Sequence, residues 1–185
     1  VEGVDVLVED GIIIPAIKIA DFSAEADLKK NNRGLIFPYM KKEDSFKIIG
    51  EDDFKKKAPL AYAHLESFME ELAKRDKGNK TYEAWYAWGR TQGRSAPGPK
   101  LLTKTFDASP RFKLDRTDSL FCNGYAVMAP QNFENGSKLS IKGLQKIINS
   151  RFMHYYTKVT SFQISGDYQC YQKNFIETFT IQAID

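Results

Sequence analysis

Residues 140–155 carry a long helical periodicity that the rest of the chain has to cover. Ser140 is a capping residue, and Leu144, Ile147, Ile148, Phe152 and Tyr155 follow at helical spacing. Those five side chains are expected to be core, with Lys142, Lys146, Arg151 and Lys158 mostly off the stripe. The stretch continues through a polar loop into an aromatic segment that closes on Lys173 and Phe175. Between Lys138 and Lys173, six Lys or Arg stand against one acid, Asp167, with tyrosines at 155, 156, 168 and 171 interleaved. Basic side chains attract phosphate and planar rings offer faces to bases, so this segment suggests a nucleic-acid surface.

The remainder alternates short β-rich runs with turns. Residues 4–8 and 12–19 read as strands around Glu9-Asp10-Gly11, and Pro15 places the second at an edge or a bulge. Further strands are expected over 34–39 and 46–49. Pro59 suits a first helical turn, and Ala61, Leu65, Phe68, Met69 and Leu72 repeat as the core face of a helix. Lys74, Arg75 and Lys77 complement its C-terminus, and Gly78 ends it. Asp52-Asp53, beside three lysines, reads as a solvated helix start. Thr81 is expected to cap a short helix over 82–88, where Trp85 and Trp88 form a packed hub. The run 89–99 (GRTQGRSAPGP) is a loop on which Arg90 and Arg94 are free to reach out. Residues 100–106, 111–115 and 120–130 alternate like an antiparallel meander, with a further turn at Asn135-Gly136. The expected class is α+β (mixed), one compact domain with a β meander and two main helices. Residues 1–57 form a β-rich lead-in and 58–185 the main part.

Charge is more informative by region than in total. The chain has 185 residues and a net charge of only +3, yet residues 1–30 carry −4 and residues 74–116 carry +7. Such asymmetry favours a negative partner meeting one face. Cys122 and Cys170 stand apart, which suits free thiols in a reducing cytoplasm rather than zinc. No apolar run approaches a membrane span, and no signal peptide is visible. The first residue is Val1 rather than Met, so the chain can be a piece of a larger protein.

A catalytic reading finds no foothold. No GxSxG, HExxH, Walker loop or GxGxxG occurs, and His64 and His154 are isolated. A binding module is favoured on residues alone, with no catalytic, cofactor or metal residue assigned.

Four blocks carry a resemblance to a known family. They are 59–75 (PLAYAHLESFMEELAKR) with Trp85 and Tyr86, 109–115 (SPRFKLD) with Phe121, Asn123 and Tyr125, 147–152 (IINSRF) with Tyr155 and Ser161, and 166–181 (GDYQCYQKNFIETFTI). In order and spacing they resemble the target-recognition domain of type II adenine-specific DNA methyltransferases, the TaqI-like C-terminal specificity domain. Asp167 replaces a second glycine of that pattern, Cys170 a basic residue and Thr180 a proline. Losing a base and gaining an acid weakens the closing loop as a phosphate contact, which shifts sequence reading towards the arginine loop.

The resemblance implies a division of labour. A separate catalytic domain of the same polypeptide would hold S-adenosylmethionine and an Asn/Asp-Pro-Pro-aromatic motif. This chain contains neither a Pro-Pro pair nor a glycine-rich cofactor loop, so it would not methylate alone. It would hold double-stranded DNA while the catalytic domain takes a flipped adenine, within a bacterial restriction-modification system. Lys80, Lys100, Lys104 and Lys173 are the expected phosphate contacts, and Arg90 and Arg94 the base readers. Ser161, Gln163, Tyr168 and Gln169 lie where they could also reach bases, and Tyr171 is kept as a contact. Arg111 is as well suited to clamping a carboxylate such as Asp115. Tyr155, Phe152 and Phe175 are expected in the core. Two other readings stay open. One is a specificity-subunit-like or RNA-binding module with no methyltransferase partner, and the other is a structural, protein-interaction domain.

Overall fold

The computed structural model describes residues 5–42, 45–89, 98–128 and 139–181. The fold is α+β. In chain order, β1 (Ile13–Lys18), β2 (Gly34–Ile36), β3 (Tyr39–Lys42) and β4 (Ser45–Ile48) precede helices α1 (Glu51–Lys57), α2 (Pro59–Glu66) and α3 (Met69–Ala73). Then come β5 (Lys100–Thr103), β6 (Phe106–Asp107), β7 (Lys113–Asp115), β8 (Leu120–Cys122) and β9 (Tyr125–Met128). Helices α4 (Ile141–Ile148) and α5 (Arg151–Thr160), strands β10 (Gln163–Ile164) and β11 (Tyr168–Cys170), and helix α6 (Lys173–Ile176) complete it.

Packing divides the chain into two units, Val1–Pro15 with Gly34–Ser95, and Ala16–Arg33 with Ala96–Asp185. Neither divides at residues 57–58, because Phe54, Ala58, Ala61 and Tyr62 share one core.

In the first unit, Ile13–Pro15 pair antiparallel with Gly34–Ile36, and β3 and β4 form a hairpin with Tyr39 opposite Ile48. The strand expected over 4–8 is absent from residues 5–8. Instead Glu9 reaches the start of α2, where its carboxylate accepts the Leu60 N–H at 2.8 Å and the Ala61 N–H at 3.1 Å. Ala58, at the N-cap, has no side chain for that task. The core is aromatic, with Phe54, Tyr62, Tyr86 and Trp85 meeting mostly edge to face. The helix expected from Pro59 onward breaks at Ser67-Phe68, and Met69 is exposed rather than core. No helix forms over 82–88, since the backbone there is held from outside. Arg75 donates to the carbonyls of Leu72, Trp85 and Ala87 at 2.6–2.7 Å, and the Trp88 N–H donates to the Tyr39 hydroxyl at 2.7 Å. Trp88 also packs edge-on against Phe37 and Tyr39, so the tryptophan hub is present.

In the second unit β5 is central, with β7 and β9 antiparallel on either side. A sequential meander would have put β7 in the middle. β8 leaves that sheet and pairs in parallel with Ala16–Lys18. The departure turns on Asn123 and Gly124. Asn123 adopts φ 59°, and a Cβ on Gly124 would lie 2.2 Å from the Thr103 carbonyl oxygen. One face of the sheet presents Leu101 and Leu114 to a core completed by Phe112, Leu144, Ile148, Met153, Tyr171 and Ile176. The other face buries Leu102 against Ile17 and Ile19.

The helical periodicity at 140–155 resolves into two helices rather than one. Ser140 caps α4 through the Gly143 N–H at 3.0 Å. Asn149 leaves the helix to bond the Phe112 backbone, and Ser150 caps α5. That break rotates the second half of the stripe outward. Phe152 and Tyr155, expected in the core, are 80% and 68% exposed. Phe175 is half-buried, against Phe162.

Candidate nucleic-acid interface

The expected contact residues fall into several classes once their surroundings are known. Lys100 is not open to DNA, against expectation. It is fully buried, its ammonium 3.0 Å from the Asp115 carboxylate and donating to the Thr117 carbonyl at 2.7 Å. A phosphate cannot reach it. Tyr171 is equally enclosed, in the core with its ring edge-on to Phe112. Gln169 is buried opposite Asp107 in the β11–β6 pairing. The Ser161 hydroxyl donates to the Thr157 carbonyl at 2.7 Å and only extends α5.

Arg111 clamps a carboxylate, as one of its two readings held, but the partner is Asp107 and not Asp115. Its Nε and Nη2 reach the same oxygen, Oδ1, at 3.0 and 2.5 Å. About half of the side chain stays exposed, and a guanidinium has further N–H groups to offer. Asp115 is already committed to Lys100, on the inner face of β7.

Five expected contacts remain outward in the second unit. Lys173 is exposed, 3.7 Å from the Glu177 carboxylate, and Lys104 and Arg111 are partly so. Gln163 and Tyr168 sit on the β10–β11 hairpin, whose turn carries positive φ at Gly166 (81°) and Asp167 (60°). The Asp167 carboxylate accepts the Gln163 side-chain N–H at 2.6 Å. The acid that departs from the family pattern is therefore turned onto its own hairpin, where it fixes the glutamine. Lys80 belongs to the first unit, exposed, donating to the Gly89 carbonyl at 3.2 Å and lying over the Tyr82 ring. Arg90 and Arg94 lie outside the described residues, as does the turn at Asn135-Gly136.

One group escaped the sequence reading, and another was read only in outline. Lys113 is buried on β7, its ammonium only 3.4 Å from the Arg111 carbonyl and with no carboxylate partner among the described residues. Burial pushes it below the usual lysine range, and the charge of Lys104 adds to that. Together Lys104, Arg111 and Lys113 outnumber Asp107 at this corner. The second group is the outward side of α4 and α5, where Lys142, Lys146, Arg151 and Lys158 are all exposed. The signal was available: no acid occurs between Glu134 and Asp167. That signal marks the segment as a nucleic-acid surface, but the apolar stripe makes its helices scaffold, so these four cations carry no contact role of their own in the sequence reading.

Cys122 is exposed and Cys170 buried, both free, and burial pushes the Cys170 thiol up. Among the described residues no His, Cys, Asp and Glu group could hold a metal, and no helix is long and apolar enough to cross a membrane. No family model and no curated protein matches the chain.

Proposed function

We propose that this chain binds double-stranded DNA as the specificity domain of an adenine-specific DNA methyltransferase of a restriction-modification system. A catalytic domain of the same polypeptide would supply S-adenosylmethionine and methyl transfer. The DNA-binding half of this reading rests on one observation above the others. A stretch of chain without a single acid, from 135 to 166, presents Lys142, Lys146, Arg151 and Lys158 to solvent and leads directly into an exposed hairpin. A surface of one sign favours a polyanion. The methyltransferase half rests on the four sequence blocks.

The roles divide by chemistry. In the second unit Lys173, Lys104, Arg111 and the helix cations contact phosphates and set orientation; in the first unit Lys80 is a phosphate contact in its own right. Gln163 and Tyr168, on the hairpin, contact base edges, and Arg90 and Arg94 read guanine. The compartment that goes with this role is the bacterial cytoplasm.

Titration of the protein against duplex DNA at two salt concentrations tests the proposal. Affinity is expected to fall steeply as salt rises. Absence of binding at low salt would overturn it. Competition by duplex RNA as strong as that by duplex DNA would overturn the DNA assignment alone.

A further inference from the structure

The outer face of α5 has chemistry that a duplex does not use. Phe152, Tyr155 and Val159 follow at spacings of three and four and are 80%, 68% and 61% exposed. Rings this open on a monomer's surface mark a place where something docks. Arg151 and Lys158 fall on the same face, about one turn to either side of Tyr155. Beside Phe152 lies a groove of about 400 Å3, lined by Ile147, Phe179 and Ile181 with Lys146, Ser150 and Thr180 as its polar members. The groove is shallow and open to solvent, so it offers an apolar surface beside the helix rather than an enclosed pocket.

The sign of the face selects the occupant. A two-fold contact with a second copy of the chain would set Arg151 and Lys158 against themselves, with no acid between Glu134 and Asp167 to offset them. A nucleic-acid strand meets both halves of the surface at once, its phosphates drawn to the cations and its bases to the rings. A duplex offers its bases edge-on inside grooves, so it cannot lay a base face on Phe152. Unpaired bases can.

We infer that the outer face of α5 and the adjoining groove bind single-stranded DNA, with Phe152 and Tyr155 as stacking platforms and Lys146, Arg151 and Lys158 on the backbone. This rests on the DNA-binding reading above and adds a substrate class to it: DNA that has locally lost its pairing.

The experiment uses the full chain, a fluorescently labelled oligothymidine of about 20 nucleotides, long enough to span one stacking groove, and a duplex of equal length. The unmodified protein is expected to bind both. The double variant Phe152→Ala, Tyr155→Ala should bind the oligothymidine at least about tenfold more weakly and the duplex as before. Both rings are exposed, so circular dichroism should be unchanged. Duplex binding without oligothymidine binding would overturn the inference and leave the duplex reading standing. So would an oligothymidine affinity indifferent to the two substitutions, or equal competition by polyglutamate, which carries charge without bases. No binding of either DNA would overturn both.

Discussion

Asn149 clasps the backbone of Phe112 from both sides, its Oδ1 accepting the Phe112 N–H at 2.7 Å and its Nδ2 donating to the Phe112 carbonyl at 3.0 Å. The amide does for this one residue what a neighbouring strand would do, and it ends α4 in doing so. Gln145 adds a second donor to the same carbonyl at 3.0 Å.

Replacing Asn149 by alanine leaves the Phe112 N–H without its acceptor in a part-buried place. A loss of about 1–3 kcal/mol is expected, read from urea unfolding as a lower midpoint at unchanged slope. Asn149→Asp should cost more, because its carboxylate would face the Phe112 carbonyl with no N–H to offer.

Lys100 and Lys173 are predicted to separate stability from binding. Lys100→Met strands the buried Asp115 and should destabilise the second unit by about 3–5 kcal/mol. Lys173→Ala should leave the unfolding curve in place and lower the salt dependence of duplex binding by about one phosphate contact. A Lys100 variant that folds normally and binds DNA weakly would contradict this assignment.

Lys113 offers a stabilising substitution. Its folded-state pKa is lowered, so at neutral pH the folded protein holds a buried charge that the unfolded chain keeps in water. Lys113→Met should stabilise by about 1 kcal/mol at pH 7. The gain should shrink as pH rises through the folded pKa towards the ordinary lysine value near 10.4, where the folded protein has already shed that proton. Chemical unfolding at neutral and alkaline pH tests both parts.

Tyr171 predicts an alkaline limit. Burial pushes its hydroxyl up to about 12, so the neutral form is favoured in the folded state. The stability it carries is complete below the ordinary value near 10 and is lost as pH rises from there towards 12, on the order of 2 kcal/mol. Tyr171→Phe should remove that dependence from the second unit. Tyr62, raised to about 12 chiefly by burial and also by its bond to Glu51, imposes a similar limit on the first. Both tryptophans, Trp85 and Trp88, lie in the first unit. Their fluorescence should follow that unit alone, while far-ultraviolet circular dichroism follows both.

Periodicity and punctuation made much of the fold legible. Ser140, Pro59 and the β-branched run before Lys18 all mark real elements, because caps, proline and branched side chains act within a few residues. What stayed hidden depends on contacts distant in sequence. Nothing local announces that Arg75 will hold the carbonyls of Trp85 and Ala87, or that Asn149 will leave its helix for Phe112. The candidate site suffered from the same blindness. A lysine on a strand looks equally free whether it meets solvent, as Lys47 does, or a buried aspartate, as Lys100 does. Phe152 and Tyr155 satisfied the core pattern until the break at Asn149-Ser150 turned them out.

The pairing of Pro15 with Gly34 has a consequence for the order in which the chain is made. It closes the segment Ala16–Arg33 into a loop that belongs to the second unit, while that segment's strand partner, Leu120–Cys122, is synthesised about 100 residues later. The first unit can be complete by then, with the loop already tethered at both ends. Its closure entropy has been met in advance. A parallel pairing of high sequence separation, ordinarily among the slowest steps in folding, then becomes the docking of a late strand onto an edge that has been waiting for it.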